Sequence, residues 1–267
     1  MDAFLKYFEM TEKKGWRLQD LPWERADWER ATDRDRRAVL ATSSIESGVP
    51  HYTKLWLQTD GFSKDWELAQ FVSLWAGEEE RHNVALQRAN VALGIDQGNN
   101  YETVANFDFV KRQKDSCPTG CYQTITGMLT YTMMQELVTW KFYSQAAKQS
   151  GSTFLATLFG KLAEDEMRHH VWYREALKTR FANATPKEQE ASLRPLVDAV
   201  NHFEMPHFYY QMHEEYFAAN EVLGRLSLLD IKLRLAKVFT FDKRIIPLLM
   251  KGKFGGGPMP EENITAS

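Results

Sequence analysis

Two short segments of this chain carry a glutamate three residues ahead of a histidine: Glu79-Glu80-Arg81-His82 and Glu166-Met167-Arg168-His169. Residues at i and i+3 of an α-helix share one face, so each pair can present a carboxylate and an imidazole to the same ion. A further glutamate precedes each pair by about the length of a helical hairpin. Glu46 stands 33 residues before Glu79, and Glu136 stands 30 before Glu166. A helix of about 20 residues, a short turn and a return helix bring Glu46 opposite Glu79, and Glu136 opposite Glu166. Four carboxylates and two imidazoles converging inside a helical bundle are the ligand set of a di-iron or di-manganese carboxylate centre. Such donors suit iron or manganese better than softer ions, which favour thiolates. One Glu-x-x-His is common on a solvated helix face; two in register, each with a glutamate at return distance, form a much narrower pattern.

Positioning these six side chains requires four long helices. The pattern predicts the first from about Asp33 to Leu57, kinked at Pro50. Gly61-Phe62-Ser63 is the expected turn, with Ser63 as N-cap, before a second helix from about Lys64 to Arg88. Pro118-Thr119-Gly120 precedes a third, about Cys121 to Gln149, and Ser150-Gly151-Ser152 leads into a fourth that ends near Ala182. A shorter helix, about Tyr101 to Lys114, is expected in the crossover between the halves. Thr185-Pro186-Lys187-Glu188 combines a cap, a first-turn proline and a reciprocal glutamate, and starts another helix that runs to about Glu204. Pro206 should break it, with a further helix from near His207. Residues 1–30 read as a partly helical lead-in over the bundle, and the stretch from Gly255 onward as a disordered tail. Alternating apolar stretches are short and scattered, so no sheet is predicted. The expected organisation is all-α: a single helical domain over residues 1–254, then the tail at 255–267.

Hydrophobic residues make up 43% of the 267, enough for one substantial core. A net charge of −3 excludes a broadly basic nucleic-acid binder. No apolar run approaches the roughly 18–20 residues of a membrane span. The opening MDAFLKYFEMTEKK has no apolar core typical of a signal peptide. A soluble, cytoplasmic protein is therefore expected. Cys117 and Cys121 are the only cysteines, and they read as a reduced pair in a turn, with a metal-binding thiol pair as the sharper alternative. Between residues 225 and 253 stand Arg225, Lys232, Arg234, Lys237, Lys243, Arg244, Lys251 and Lys253, against only Asp230 and Asp242. That segment could steer an acidic partner onto the protein; a solvated amphipathic helix is the alternative. His202, His207 and His213 lack a matching set of carboxylates and read as ordinary histidines.

Several stretches resemble the soluble acyl-carrier-protein desaturases, a ferritin-like di-iron family. Trp75-Ala76-Gly77-Glu78-Glu79-Glu80-Arg81-His82 is similar to the family's Trp-x-x-Glu-Glu-x-Arg-His box, and Asp165-Glu166-Met167-Arg168-His169 to its Asp-Glu-x-Arg-His box. Tyr131 to Thr139 resembles the helix with the third glutamate and a nearby threonine, and Gly15 to Pro22 resembles the entry segment. Glu46, ahead of Val49-Pro50-His51-Tyr52, falls where the family's first glutamate lies. Leu137 departs from the arginine often found there, and the chain after about 215 matches poorly.

The resemblance implies a ferritin-like four-helix bundle with flanking helices, in which Glu46, Glu79, His82, Glu136, Glu166 and His169 bind two iron ions. Asp165 would orient His82, as a carboxylate behind a ligating imidazole does. Trp16 would complete an electron path from the surface, and Thr139 would reach an oxygen species held at the irons. The implied activity uses O2 to insert a cis double bond into a fatty acyl thioester. Its partners would be acyl carrier protein, docked on residues 225–253, and a ferredoxin-type electron donor; a homodimer is also implied. A ferritin-like oxygenase with the same six ligands and a bacterioferritin-like iron store are the alternatives.

Overall fold

The computed structural model of the chain describes residues 2–95, 111, 120–201, 234 and 237–251. Eight helices are named here: α1 (Asp2–Lys14), α2 (Asp33–Glu46), α3 (Val49–Leu57), α4 (Trp66–Ala92), α5 (Ile125–Gln149), α6 (Thr153–Asn183), α7 (Pro186–Asn201) and α8 (Ile245–Lys251). Among the described residues there is no strand, only an isolated bridge between Asp60 and Thr124. The architecture is the expected all-α, ferritin-like one, with α2 packed on α4 and α5 on α6 along their length. No helix of the described residues is long and apolar enough to cross a membrane.

Local chemistry sets the helix starts. At α2, the Thr32 hydroxyl accepts from the Asp35 N–H at 3.2 Å, while the Asp35 carboxylate accepts from the Thr32 N–H at 2.8 Å. The same Asp35 oxygen accepts from the Gly151 N–H at 3.1 Å, which ties the start of α2 to the α5–α6 turn. Asp27 accepts from the Ser152 hydroxyl at 2.7 Å and the Thr153 and Phe154 N–H groups at 2.9 and 3.0 Å. The lead-in thereby caps α6, and these hydrogen bonds hold the Asp27 carboxyl well below its ordinary range. The lead-in is partly helical, as expected: α1 is followed by three 3₁₀ turns, at Leu18–Asp20, Trp23–Arg25 and Trp28–Arg30.

Several expectations need correction. The first helix is not one kinked element; it ends at Glu46, turns through Ser47-Gly48, and restarts at Val49. Pro50 in a continuous helix would lack a donor and clash with the Glu46 carbonyl, whereas in the first turn of α3 its missing N–H is harmless. The N-cap of α4 is Asp65, which accepts from the Leu68 N–H at 3.1 Å; Ser63 lies in a 3₁₀ turn instead. Cys121 is not a free thiol but is disulfide-bonded. Cys117 is the only other cysteine. The predicted crossover helix at 101–114, apart from Lys111, lies outside the described residues. So do Cys117, Pro206, His202, His207, His213, the tail at 255–267 and much of 225–253.

The third long helix begins at Ile125, capped by Thr124, rather than at Cys121. A Cβ on Gly127 would fall 1.8 Å from the Cys121 carbonyl oxygen, so this first turn admits only glycine. Gly127→Ala is expected to cost about 3 kcal/mol through overpacking. That corresponds to a melting temperature roughly 6–12 °C lower. Calorimetry returning the parent's melting temperature would contradict this packing.

Two apolar clusters fill the ends of the bundle. One includes Phe71, Tyr131, Trp172 and Tyr173; the other includes Val39, Leu86, Leu155 and Phe159. On α4 the first cluster stops at Trp75 and the second starts at Ala85; on α6 they meet the same gap, between Ala163 and Trp172. Between them lies a belt of buried charge, whose burial the apolar ends must offset.

Candidate metal centre

The belt brings all six predicted residues together. Glu79 and His82 come from one face of α4, Glu166 and His169 from one face of α6, Glu136 from mid-α5 and Glu46 from the last position of α2. None is more than 5% exposed. They form two overlapping groups, Glu46/Glu79/His82/Glu166 and Glu79/Glu136/Glu166/His169, each with its ligand atoms within 4.8 Å of one another. Glu79 and Glu166 belong to both groups. One Glu79 oxygen lies 3.3 Å from His82 Nδ1 and the other 2.9 Å from His169 Nδ1. Glu166 Oε1 is 3.4 Å from His82 Nδ1, and Glu136 Oε2 is 3.5 Å from His169 Nδ1.

Both histidines point Nδ1 into the cluster. Neither Nδ1 makes a hydrogen bond, nor do Glu79 Oε1 and Glu166 Oε1, although all four atoms are buried. Buried polar atoms without partners are rare, and four aimed at one point call for a ligand. Burial, reinforced by Glu79 and Glu166, raises the Glu46 carboxyl well above its ordinary range, and burial with Glu166 does the same to Glu136. Burial opposes charge on both histidines, yet neighbouring acids, Glu79 foremost for His82, push that imidazole well up. Four carboxylates with neutral imidazoles carry a formal charge of −4, which two divalent cations would cancel. The oxygen and imidazole donor set therefore fits two hard or borderline ions.

A second ring of charge surrounds the first. His82 Nε2 lies 3.0 Å from Asp165, and His169 Nε2 lies 3.2 Å from Glu78. Each histidine is thus held by the carboxylate that precedes the glutamate of the opposite helix. Arg168 lies 2.5 Å from Asp165 and 3.3 Å from Glu78; Arg81 lies 3.4 Å from Glu78 and 3.7 Å from Asp165. Burial works against ionisation of Asp165, but His82 and Arg168 outweigh it and bring its carboxyl down to about 2. Asp165 stands where the sequence placed it. Glu78, Arg81 and Arg168 were not singled out, although the repeat acid-Glu-x-Arg-His, present at 78–82 and at 165–169, carried the signal.

Trp16 donates from Nε1 to Asp165 at 2.9 Å, and its ring stacks on His82 with centroids 6.3 Å apart. Its side chain is buried beneath Arg81, whose guanidinium lies 5.3 Å from the ring centre. Thr139 Oγ1 is 2.9 Å from Glu166 Oε2 and 3.1 Å from the Gln135 carbonyl oxygen. Two further contacts were given no role by the sequence: Trp75, the first residue of its box, donates from Nε1 to Glu136 at 3.0 Å, and the Tyr143 hydroxyl donates to Glu46. Thr139, Gln135, Tyr52 and Ile45 border a cavity of about 10 Å³ against the cluster, the room one water molecule needs.

A sequence-family model described as fatty acid desaturase matches residues 24–229. Over 219 residues the chain is 25% identical to a Mycobacterium tuberculosis protein, DesA1, whose name assigns it provisionally as an acyl-acyl-carrier-protein desaturase. The match covers 74% of this chain and 62% of the relative, so the chain spans about three fifths of the length of the curated relatives it matches. Among solved structures, an R2-like ligand-binding oxidase from Sulfolobus acidocaldarius superposes with a TM-score of 0.58 at 15% identity, covering 90% of this chain and 91% of that one. A variant R2-like ligand-binding oxidase with a reconstituted Mn/Fe cofactor gives 0.53 at 14% identity, covering 95% and 94%. These last two likenesses are of fold.

Proposed function

The chain belongs to the fatty acid desaturase family, and from that premise we propose that it is an O2-dependent di-iron enzyme that places a cis double bond in a fatty acyl thioester. The observation that carries this reading is the pair of overlapping carboxylate–histidine groups that share Glu79 and Glu166. Removing two hydrogens from adjacent unactivated methylenes needs an oxidant that no side chain supplies, and bound iron would supply it from O2.

The residues divide the remaining work. Glu46, Glu79, His82, Glu136, Glu166 and His169 would hold the ions. Asp165 and Glu78 fix both imidazoles with Nδ1 inward, toward where the ions would be held. Thr139, within hydrogen-bond reach of a shared carboxylate, is placed to hold a proton beside the cluster. Ile45, Tyr52 and Trp75 line that side of the centre and leave room for no more than about one water molecule. Trp16 and Asp165 form a hydrogen-bonded route to His82 for electrons from a ferredoxin-type donor, which would reach buried Trp16 through the residues over it.

Acyl carrier protein is the proposed substrate carrier. Supporting it, a cavity of about 520 Å³ lies against the outer side of α5 and α6. His170, Arg174, Lys178, Arg234 and Lys237 line it, and its floor includes Leu137 and Met167, which directly follow Glu136 and Glu166. Arg244 lies 2.6 Å from Asp242 and 3.0 Å from Glu190 on α7. Among the described residues of the basic stretch, Arg234, which also lies over the Trp140 ring, and Lys237 line this cavity, and they are the docking residues we propose. The double charge reversal Arg234→Glu/Lys237→Glu is expected to raise KM for an acyl-acyl-carrier-protein substrate about tenfold, most at low salt, with kcat nearly kept. An unchanged KM would remove the docking assignment.

The activity itself is read from the mass of the product. Iron-loaded protein with ferredoxin, a reductase, O2 and stearoyl- or palmitoyl-acyl carrier protein should return an acyl chain two hydrogens lighter. A gain of one oxygen would replace the desaturase with an oxygenase on the same centre.

A further inference from the structure

The contacts around Glu78 and Asp165 form two matched chains. Trp16 Nε1 donates to Asp165 at 2.9 Å, and Asp165 holds His82 at 3.0 Å. On the other side the Tyr7 hydroxyl donates to Glu78 Oε2 at 2.5 Å, and the same oxygen holds His169 Nε2 at 3.2 Å. Both outer members come from one stretch of chain, α1 and the turn after it, nine positions apart.

We propose that Tyr7 is a positioning residue for the metal position at Glu136 and His169, which makes α1 part of the metal centre rather than a cover over it. This rests on the reading of the six residues as metal ligands. Glu78 has two oxygens with different duties. Oε1 takes Arg81 at 3.4 Å and Arg168 at 3.3 Å, while Oε2 faces His169. The arginines alone could draw the carboxylate toward themselves and rotate it off the imidazole. A phenol donating to Oε2 holds that oxygen in place, so that His169 keeps Nε2 outward and Nδ1 inward.

Tyr7 is rigidly placed for this. It is 2% exposed, and its ring meets Phe71 edge-on with centroids 4.9 Å apart. The helix that carries it is pinned where the Phe4 N–H donates to Glu67 in the first turn of α4, at 3.2 Å. Tyr7→Phe retains the ring and its packing and deletes only the oxygen.

The test is site-selective metal binding, with Co(II) as the probe and visible absorption as the readout. His82→Ala leaves the Glu136/His169 position to be titrated alone, and His169→Ala leaves the Glu46/His82 position. Adding Tyr7→Phe should weaken Co(II) about tenfold in the His82→Ala chain, within the range expected for a partner behind a ligating histidine. It should change binding less than twofold in the His169→Ala chain. Glu78→Gln should reproduce the loss, and Tyr7→Phe added to it should have little further effect, because both act through one hydrogen bond. Equal weakening in both backgrounds, no weakening in either, or additive losses would overturn the proposal. Should neither single-position chain bind Co(II), Tyr7→Phe in the full ligand set is compared with its parent under a chelator. Retention of one ion per chain where the parent retains two supports the assignment, and equal retention overturns it. A parent chain that binds no Co(II) at all overturns the ligand reading and this proposal with it.

Discussion

Glu79→Ala is expected to empty both metal positions, whereas Glu46→Ala empties one. Glu79 sets one oxygen 3.3 Å from His82 Nδ1 and the other 2.9 Å from His169 Nδ1, so its loss removes a donor from each group. Glu46 belongs only to the group with His82. Elemental analysis should therefore find close to no iron per chain for Glu79→Ala and close to one for Glu46→Ala. Activity should fall to background in both, since the proposed chemistry needs two ions. Finding one ion on Glu79→Ala would mean that Glu79 does not bridge.

Asp165→Ala should be the most destabilising change in the ring behind the ligands. Asp165 is fully buried and is shared by Trp16, His82 and Arg168. Its removal leaves a buried guanidinium with Glu78 as its remaining close partner and deprives both Trp16 Nε1 and His82 Nε2 of their acceptor. Breaking a buried ion pair by deleting one member costs about 3–5 kcal/mol. For a chain of this size the melting temperature should fall by roughly 6–20 °C. Asp165→Asn, which keeps the shape and an acceptor, should fall by less. If alanine and asparagine melt together with the parent, the ring is not holding charge in the way described.

The convergence of the six residues was legible in the sequence because helix geometry alone fixes their relation. An i,i+3 pair must share a face, and a separation of about 30 residues returns a neighbouring helix to the same height. The helix ends were less legible because they depend on competing caps. Asp65 outranks Ser63 as the start of α4, and Pro50 begins α3 where a kink was expected. The state of Cys121 depends on oxidation of its thiol, which spacing does not reveal. The contacts of Tyr7, Trp75 and Tyr143 could not be read from the sequence for a different reason. Their hydroxyl or indole groups meet Glu78, Glu136 and Glu46 through tertiary packing, at sequence separations of 71, 61 and 97 that no local rule predicts. Arg244 belonged, by composition, to a docking surface, and spacing gave no sign of its pairing with Asp242 and Glu190.

The most direct test of the centre is anomalous diffraction at the iron absorption edge from crystals of the iron-loaded protein. Two peaks are expected inside the belt, one among Glu46, Glu79, His82 and Glu166 and the other among Glu79, Glu136, Glu166 and His169. A single peak, or iron bound anywhere but between α4 and α6, would contradict the two-metal centre on which the proposed desaturation depends.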